Sequence, residues 1–369
     1  MFKQSYRGDE MQRNHKKWTC LLLGLLLSLL CAGCLSQEES VPEAQEETVS
    51  EEEITLKVFH AGSLTSPLEK IKAEFEKDFP HVTVQLEPAG SVKCVNKITE
   101  IGLEADVLAS ADYSLIPSMM VPDFARWYLT FAKNEMVLTY SDSSAYADEI
   151  TTENWYQILQ NEDVTWGFSN PNLDPCGYRT PMVIQLAELL CGDDQIFETL
   201  VCSQTAITVT EDSGVFKIST PEDLSPNTNQ VVIRDKSVEL VSMVQSGGLD
   251  YAWEYLSVAK QNNLNYVSLS DAINLSSIEF EDTYKKVQVI TSDGNAKTGK
   301  PIVYGITVPV NAPHPEWGAK FVEYVINSNG QDIFEGDGQP PIVPAVAYEI
   351  QEVPDNLSPY IIDVKERES

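Results

Sequence analysis

Hydrophobic and polar residues alternate at the start of the folded part of the chain. Ile54, Leu56 and Val58 alternate with Thr55 and Lys57, and this period of two predicts a β-strand. The next segment changes to helical spacing, which predicts a helix that starts near Ser66-Pro67. Its apolar positions share one face, and they are Leu68, Ile71, Phe75 and Phe79.

The same alternation of strand and helix continues along the chain. The pattern predicts a strand over 82–86, a turn over 89–91, a helix over 92–101 and a short strand around Val107. Strands that alternate with helices build parallel βαβ units. The fold class predicted from these residues is therefore α/β.

Both of the first strand-to-helix turns carry the tripeptide Ala-Gly-Ser, at 61–63 and at 89–91. Glycine lets a ligand approach the backbone closely, and the first N–H groups of a helix are unpaired, with the positive end of the helix dipole behind them. Such a turn can hold an anion. One Gly-Ser turn is more often only a helix cap, but two of them one strand apart favour an anion site.

A third junction follows the strand predicted over 164–168. Asp174 precedes Pro175, which is typical of an N-cap followed by the first helical residue. The pattern predicts that the next helix buries one apolar face. That face is made of Val183, Leu186, Ala187 and Leu190.

A fourth junction follows the strand predicted over 231–233. A helix is expected to begin around Ser237, and Glu239 in its first turn suits the helix dipole. Its predicted buried positions are Leu240, Val241 and Val244. On propensity alone, Asp174 and Glu239 are interpreted as caps.

Composition narrows the classes of function. The chain has 369 residues, 43% of them hydrophobic, which is enough apolar material for one or two cores. It has 25 Lys and Arg against 56 Asp and Glu, for a formal net charge of −31, which argues against a nucleic-acid binder. The histidines are too scattered for a zinc site built on imidazole. They are His15, His60, His81 and His314.

The N-terminal segment is typical of a secretory signal. Two lysines precede an apolar stretch over 18–30, which is shorter than the roughly 20 residues that span a bilayer. The following Cys31-Ala32-Gly33-Cys34 resembles the lipobox of bacterial lipoproteins, although Cys31 stands where Leu is usual. We expect 1–33 to be a signal peptide and Cys34 to be lipidated. An uncleaved membrane anchor is the alternative.

Residues 34–53 are expected to be an acidic tether. They include a run rich in Glu and contain no aromatic residue, so they bury too little surface to fold, and their charges repel one another. Cysteines beyond the tether face a compartment that can be oxidising. Cys191 and Cys202 can close a short loop, but the pairing of these two with Cys94 and Cys176 stays open.

Ten segments in one order closely resemble the tungstate- and molybdate-binding lipoproteins of ABC transporters, of the WtpA type. They are VFHAGSLTSPLE, PAGS, DVLASADYSLIP, FAKNEMVLTYS, NWYQIL, SNPNLDPCGYRT, SVELV, GGLDYAWEYLSVA, IVYGITVP and GQPPIVPA. The resemblance covers the chain from about Val58 to Pro344.

The resemblance implies a type II periplasmic-binding-protein fold, in which two α/β lobes joined by two crossing strands close on one oxyanion. FAKNEMVLTYS is similar to the first crossing and DYAWEYLSVA to the second. The implied domains are lobe I over 54–135 and 258–350, lobe II over 136–257, and a C-terminal tail over 351–369.

The resemblance also implies which residues hold the oxyanion. Asp174 and Glu239 would bind the Mo or W atom itself. Arg179 is expected to pair with a carboxylate such as Asp174, in preference to contacting the anion. The remaining implied contacts come from Gly62, Ser63, Ser91, Pro175, Cys176 and either Tyr255 or Ser257.

Direct ligation would explain why carboxylates face an anion. A carboxylate about 4 Å from a dianion is repelled by several kcal/mol at an effective dielectric constant of about 20. Hexavalent Mo or W is oxophilic and can accept two further oxygen ligands, whereas the sulfur of sulfate cannot readily do so. A preference for tungstate and molybdate over sulfate follows as a hypothesis.

These observations predict a nonenzymatic, monomeric receptor that is lipid-anchored at the extracytoplasmic face of the cell membrane. It would deliver tungstate or molybdate to an ABC permease and its ATPase, with no cofactor. One alternative is a binding protein for another oxyanion or for ferric iron, with Tyr251 and Tyr255 as iron-binding phenolates. Another is a secreted serine hydrolase that uses Ser63 or Ser91, with His60 as a base.

Overall fold

A computed structural model describes residues 53–367 of the chain. The predicted signal peptide and lipidated Cys34 lie outside the described residues, and so does the tether apart from its last residue. Within 53–367 the chain forms sixteen strands and eleven α-helices. No helix in this range combines the length and the apolar composition that crossing a membrane requires.

The strands alternate with helices along much of the chain, as the periodicity predicts. The strands are β1 Ile54–Ala61, β2 Val82–Ala89, β3 Val107–Ser110, β4 Tyr128–Lys133, β5 Met136–Tyr140, β6 Trp166–Ser169, β7 Thr208–Asp212, β8 Val215–Ser219, β9 Val231–Arg234, β10 Tyr251–Tyr255, β11 Asn265–Ser268, β12 Val287–Ile290, β13 Ala296–Thr298, β14 Val303–Thr307, β15 Pro341–Tyr348 and β16 Ile361–Asp363.

The helices range from one turn to about five turns. The α-helices are α1 Thr65–Asp78, α2 Ser91–Thr99, α3 Leu115–Met119, α4 Trp155–Leu159, α5 Pro175–Cys191, α6 Val238–Gln245, α7 Leu256–Gln261, α8 Glu281–Tyr284, α9 Pro315–Ile326, α10 Ser328–Gly336 and α11 Val364–Arg367. Short 3₁₀ or π turns lie at Gly62–Leu64, Glu198–Cys202, Ile278–Phe280, Ile350–Glu352 and Asp355–Tyr360.

The first lobe is built on a seven-stranded sheet with the order β16-β15-β4-β14-β3-β1-β2. β1 pairs in parallel with both β2 and β3, and β14 runs antiparallel to β3 and β4. The parallel strands put the ends of β1 and β2 side by side, since Ala61 pairs with Ala89. The two Ala-Gly-Ser turns therefore leave the same edge of one sheet.

The second lobe is built on a five-stranded sheet, β11-β5-β10-β6-β9, and a four-stranded sheet, β13-β12-β8-β7. β6 and β9 are parallel neighbours, and Ser169 pairs with Arg234 at their ends. Helices α5 and α6 begin just after these two strands. Their N-termini therefore meet at one edge of the sheet, as the two Ala-Gly-Ser turns do in the first lobe.

Two segments connect the lobes. β4 leaves the seven-stranded sheet at Lys133 and β5 joins the five-stranded sheet at Met136, so the first crossing runs through FAKNEMVLTYS. The second crossing runs from β13 to β14 through Ile302. The N–H of Asn134 donates to the Ile302 carbonyl at 2.9 Å, and the N–H of Ile302 donates to the Leu275 carbonyl at 2.7 Å. The two crossing segments are therefore hydrogen-bonded to each other.

The second crossing differs from the one implied at DYAWEYLSVA. β10 and β11 both belong to the five-stranded sheet. Helix α7 between them reaches the first lobe, where Lys260 forms an ion pair with Glu335 at 3.2 Å, and the chain then returns. The expected assignment of 258–350 to lobe I differs accordingly, because β11, β12 and β13 pair with second-lobe strands.

The burial of apolar side chains on β11 and β12 explains why these strands belong to the second lobe. Val267, Val287 and Val289 are packed in the core of the second lobe with Trp166 and Trp253.

At the C-terminus, β16 pairs with β15, so part of the expected tail is an edge strand of the first lobe. These residues bury their apolar side chains by sheet pairing, which the local pattern did not indicate.

Helix α5 buries most, but not all, of its predicted apolar face. Val183, Leu186 and Ala187 are buried, whereas Leu190 is 53% exposed because it lies in the last turn of the helix. The prediction for Leu190 is therefore wrong. The four cysteines beyond the tether are free thiols in the described part of the chain, so no disulfide closes the loop after α5.

The start of α1 is also corrected. The helix begins at Thr65, one residue before the position that the sequence predicts. The Ser66 hydroxyl donates to the Asp337 carboxylate at 2.9 Å instead of capping the helix. This bond links α1 to the segment that follows α10.

Candidate functional site

The two Ala-Gly-Ser turns and the start of α5 border one cavity of about 1030 Å³. A water molecule's share of liquid volume is about 30 Å³, so the cavity has room for a tetrahedral anion together with many waters. Five predicted site residues line it, and they are Ser63, Ser91, Asp174, Pro175 and Tyr255. A second cavity of about 360 Å³, lined by Lys133 and Pro344, contains none of them.

The first-lobe side of the cavity consists of the two Ala-Gly-Ser turns. The Ser91 hydroxyl oxygen accepts a hydrogen bond from the Ala111 N–H at 3.0 Å, which leaves its own proton available to a ligand. An added Cβ at Gly62 or Gly90 would meet no described protein atom within 4 Å. The space in front of both turns is open, as close approach of an anion to the backbone requires.

The second-lobe side is the start of α5. Asp174 has an extended backbone at the N-cap position, with φ of −130° and ψ of 135°, and Pro175 is the first helical residue, as the sequence predicts. The carboxylate does not cap its own helix. Its Oδ2 instead accepts a hydrogen bond from the N–H of Ser237, just before α6, at 3.2 Å.

Residues of both lobes and of the first crossing also line the cavity. Arg179 and Tyr255 line it together with Asn134 and Tyr304. The guanidinium of Arg179 donates to the Tyr255 hydroxyl. Asp174 bonds to a different group, so within 53–367 the expected pairing of Arg179 with a carboxylate is replaced by one with a phenol.

Burial and the neighbouring phenols set the charge states there. Burial lowers the pKa of Arg179, but the adjacent Tyr255 and Tyr178 outweigh this effect, so its pKa is raised overall. Burial raises the pKa of Tyr255 well above its usual value, against the opposing effect of Arg179. Arg179 is therefore a fixed cation, and Tyr255 keeps a proton that it can donate.

Further charges lie around the cavity. Lys97 pairs with Glu87 at 2.9 Å, and Lys300 pairs with Asp112. Lys93 also lines the cavity. The cavity therefore collects cationic groups although the whole chain carries a net charge of −31.

Comparison with known proteins places the chain among receptors of this architecture. A model of the family described as bacterial extracellular solute-binding protein matches residues 56–339. The chain belongs to this family.

Relatives cover nearly the whole chain. This solute-binding protein is 58% identical over 342 residues to an uncharacterized solute-binding protein of Methanoculleus marisnigri, in a match that covers 92% of this chain and 96% of that one. It is 41% identical over 353 residues to a protein of Pyrococcus abyssi named molybdate/tungstate-binding protein WtpA, in a match that covers 94% of this chain and 98% of that one.

A solved structure confirms the fold. A substrate-binding domain from Clostridium difficile superposes with a TM-score of 0.53 at 18% identity, and the match covers 78% of this chain and 99% of that domain. The type II periplasmic-binding-protein fold expected from the sequence is thus confirmed. Members of this family are transport receptors rather than enzymes.

Four residues implied by the resemblance are not on the cavity of this solute-binding protein. Gly62 is absent from its lining, and Glu239 is exposed in the first turn of α6. Cys176 is fully buried, and its thiol donates to the Trp253 carbonyl at 3.4 Å. Ser257 is buried, and its hydroxyl accepts a hydrogen bond from Asn134 at 2.8 Å.

The arrangement does not favour the serine hydrolase or the iron-binding alternative. His60 is fully buried, and its Nδ1 bonds to the Ala61 carbonyl at 2.9 Å. Tyr251 is also buried, and its hydroxyl donates to the Ala145 carbonyl. No group of three or more His, Cys, Asp or Glu side chains within 53–367 is arranged to hold a metal ion.

Sequence reasoning missed three buried polar residues behind the first-lobe turns. Asn134, Tyr304 and Gln339 are at most 2% exposed and are hydrogen-bonded to one another. They lie in FAKNEMVLTYS, IVYGITVP and GQPPIVPA. The resemblance covers all three segments, but no feature of their local sequence indicates that these residues meet.

Proposed function

We propose that this protein captures tungstate or molybdate and delivers it to an ABC importer. Relatives named molybdate/tungstate-binding protein WtpA are 41% and 42% identical to the chain over most of its length. The observation that carries the proposal is that Asp174 lines the same cavity as the hydroxyl donors Ser63 and Ser91. Donors alone would serve any oxyanion, whereas a carboxylate selects one whose central atom can be ligated.

The two serines and the N–H groups of their turns would hold the anion's oxygens on the first-lobe side. Tyr255, which also lines the cavity, would donate its phenolic proton to the anion. Asp174 would supply one oxygen ligand to Mo or W from the second lobe. This arrangement would suit a tetrahedral oxyanion whose oxygens accept hydrogen bonds from the first lobe and whose metal atom is ligated from the second lobe.

Glu239 would supply the second carboxylate ligand. It lies two residues beyond Ser237, whose N–H bonds to Asp174, so the two acids are on adjoining helix starts. Glu239 is off the cavity lining here, and it would reach the metal when the lobes close on the ligand. Hinge closure that is stabilised by contacts from both sides is the usual response of such clefts.

Export and anchoring complete the proposal. Residues 1–33 would be removed as a signal peptide, and Cys34 would carry a lipid that holds the receptor at the outer face of the membrane. Replacing Cys34 by Ser should release the protein from the membrane fraction. Retention of the variant in that fraction would contradict the anchor.

The experiment that tests ligand identity is a thermal-shift panel on the purified receptor. A ligand at about 1,000 times its Kd stabilises the folded state by about 4 kcal/mol. Tungstate and molybdate should raise Tm by several degrees, while sulfate, phosphate and ferric citrate should leave it nearly unchanged. An equal response to sulfate would overturn the assignment, and a response to ferric citrate alone would favour the iron alternative.

A further inference from the structure

Arg179 carries a positive charge on the cavity lining without a carboxylate beside it. It lies in the second turn of α5. Its guanidinium donates to the Tyr255 hydroxyl and lies 5.4 Å and 5.6 Å from the ring centres of Tyr178 and Tyr255, within cation–π range. Within 53–367 it forms no ion pair with an Asp or Glu. Its charge is therefore held by phenols and is not neutralised.

The guanidinium also has unused hydrogen-bond donors. An arginine side chain carries five N–H donors, and among the described residues Tyr255 is the one acceptor bonded to them. None of the Arg179 nitrogens is a buried atom without a partner, so the unused N–H groups are open to solvent. The open space that Arg179 lines is the cavity.

The bond to Tyr255 places the guanidinium close to the proposed anion. The phenol oxygen accepts from Arg179, and Tyr255 would donate its own proton to the anion. Two consecutive hydrogen bonds through one oxygen keep their outer atoms at most about 6 Å apart. Because a guanidinium is a planar fork, an N–H group next to the one that Tyr255 uses can reach an oxygen of the same anion.

The proposed site also needs a cation. Tungstate carries two negative charges, and the two acids proposed as metal ligands would bring two more, which is costly in a partly buried cleft without compensation. Lys97 and Lys300 line the cavity, but each is already paired with an acid. Lys93 is exposed. The charge of Arg179 therefore remains to offset that of the anion.

We propose that Arg179 binds the anion directly, through the guanidinium N–H groups that Tyr255 does not use. This inference rests on the proposed function, in which a tungstate or molybdate dianion lies in the cavity. Coulomb attraction is proportional to the charge of the anion, so Arg179 would stabilise a dianion about twice as strongly as a monoanion of the same shape. Arg179 thus adds to the preference of the site for dianions.

A double-mutant cycle separates a direct contact from an effect that acts through Tyr255. Calorimetry measures the affinity for tungstate in the wild type, in Arg179→Gln, in Tyr255→Phe and in the double variant. We expect Arg179→Gln to lower the affinity about tenfold or more in both backgrounds, because a direct contact does not need the phenol. If Arg179 only orients Tyr255, the loss would disappear in the Tyr255→Phe background, and the inference would be overturned.

A second test uses perrhenate, which is tetrahedral like tungstate and also has a metal without d electrons, but carries a single charge. Competition gives the ratio of the affinities for tungstate and perrhenate. Arg179→Gln should lower this ratio about tenfold or more, and an unchanged ratio would contradict the inference. The control is Arg126→Gln, which removes the same charge at an exposed position off the cavity lining and should leave both affinities nearly unchanged.

Arg179→Lys serves if Arg179→Gln does not fold. Lysine keeps the charge but lacks the planar arrangement of N–H groups. The affinity for tungstate should therefore fall in both backgrounds, while the ratio of tungstate to perrhenate affinity stays near that of the wild type. Wild-type affinity in Arg179→Lys would show that the guanidinium does not contact the anion.

The results distinguish this inference from the proposed function. If the wild type binds no oxyanion, the proposed function fails. If the wild type binds tungstate and the loss in Arg179→Gln vanishes in the Tyr255→Phe background, the role of Arg179 is wrong while the proposed function stands. A loss in both backgrounds, together with a lower ratio that Arg126→Gln does not show, supports the inference.

Discussion

The carboxylate of Asp174, at the start of α5, accepts a hydrogen bond from the backbone N–H of Ser237, just before α6, at 3.2 Å. This bond ties two helix starts together at one edge of the second-lobe sheet. It also brings the first turn of α6, where Glu239 lies, next to Asp174. Asp174, which propensity alone interprets as a helix cap, thus connects the two helix starts that carry the acids of the proposed metal-binding pair.

Removing both acids should remove the preference among anions. In the double variant Asp174→Ala, Glu239→Ala, the cavity retains hydrogen-bond donors but loses both carboxylates proposed to ligate Mo or W. We expect the affinity for tungstate to fall at least about a hundredfold and to approach the affinity for sulfate. Competition calorimetry measures both affinities. If tungstate still outcompetes sulfate strongly, direct ligation by these acids is wrong.

Single variants separate charge from structure at the same position. Asp174→Asn keeps an oxygen that can accept from Ser237, so it should lose tungstate affinity with little change in Tm. Asp174→Ala should lose affinity and also about 1 kcal/mol of stability, as for a lost hydrogen bond. Glu316→Gln is a control for Glu239, because Glu316 also lies exposed in the first turn of a helix, and it should bind normally.

The turns of the site could be predicted because each depends on a few consecutive residues. Ser63, Ser91 and Asp174 each follow a strand and begin a helix, and parallel strands put their carboxyl ends at one edge. Local pattern and known connection rules were enough to group the two serines, whereas Asp174 joined them only through the resemblance. The resemblance supplied Tyr255, which a β-strand pattern alone would have placed in the core.

The buried polar residues and the second crossing depend on contacts between residues that are distant in sequence. Asn134, Tyr304 and Gln339 meet only after the crossing segments pair, and nothing in their local sequence indicates a shared hydrogen-bond network. The resemblance implied a second crossing through β10, and the apolar pattern of that strand, which is that of any central strand, could not correct it. Pattern shows that a strand is buried, but not in which sheet.

Helix α5 is held tightly against the end of β6 at Gly177. A Cβ at this position would lie 2.4 Å from the Ser169 carbonyl oxygen. This oxygen belongs to the backbone, so rotation of a flexible side chain cannot relieve the clash. We expect Gly177→Ala to cost about 1–3 kcal/mol, as for other overpacked sites, and to weaken tungstate binding by displacing Asp174. Urea unfolding and calorimetry measure the two effects.

Gly336→Ala is the matched control for this prediction. Gly336 ends helix α10, and an added Cβ there would meet no described atom within 4 Å. This substitution should be neutral or stabilise by up to about 1 kcal/mol, because it restricts the unfolded chain. Equal stability of the two variants would show that the start of α5 can shift without cost.

Stability should depend on pH through Glu254. This residue is fully buried on β10, and among the described residues neither of its carboxylate oxygens has a partner in hydrogen-bonding geometry. Burial raises its pKa to about 8, although the nearby Ser237 hydroxyl and Tyr255 N–H act in the opposite direction. The folded protein therefore keeps a proton that the unfolded chain releases above its ordinary pKa of 4.5.

The sign follows from proton linkage. Between about pH 4.5 and pH 8 the folded state binds more protons at Glu254 than the unfolded state does. The contribution of Glu254 to the free energy of unfolding therefore falls as pH rises, by about 1.4 kcal/mol per pH unit. Glu254→Gln lacks this dependence. Urea unfolding across this pH window should show the variant gaining stability relative to the wild type as pH rises. A constant difference would mean that Glu254 is ionised in the folded protein.

The net charge of −31 should control how fast a dianion arrives. Long-range repulsion extends about 30 Å at 0.01 M salt but only about 8 Å at 0.15 M, so adding salt over this range should raise the association rate of tungstate. Lys93 opposes the repulsion at the cavity. Lys93→Glu should therefore slow association several-fold at low salt and much less at the higher concentration.

The control for this charge reversal is Lys286→Glu, which makes the same change of charge away from the cavity lining and should have a smaller effect. Stopped-flow fluorescence measures the association rates of both variants and of the wild type. Because whole-molecule repulsion and local attraction respond to salt with opposite signs, the sign of the salt dependence shows which of them dominates. A wild-type association rate that falls as salt is added would show that the cations around the cavity outweigh the charge of the whole molecule.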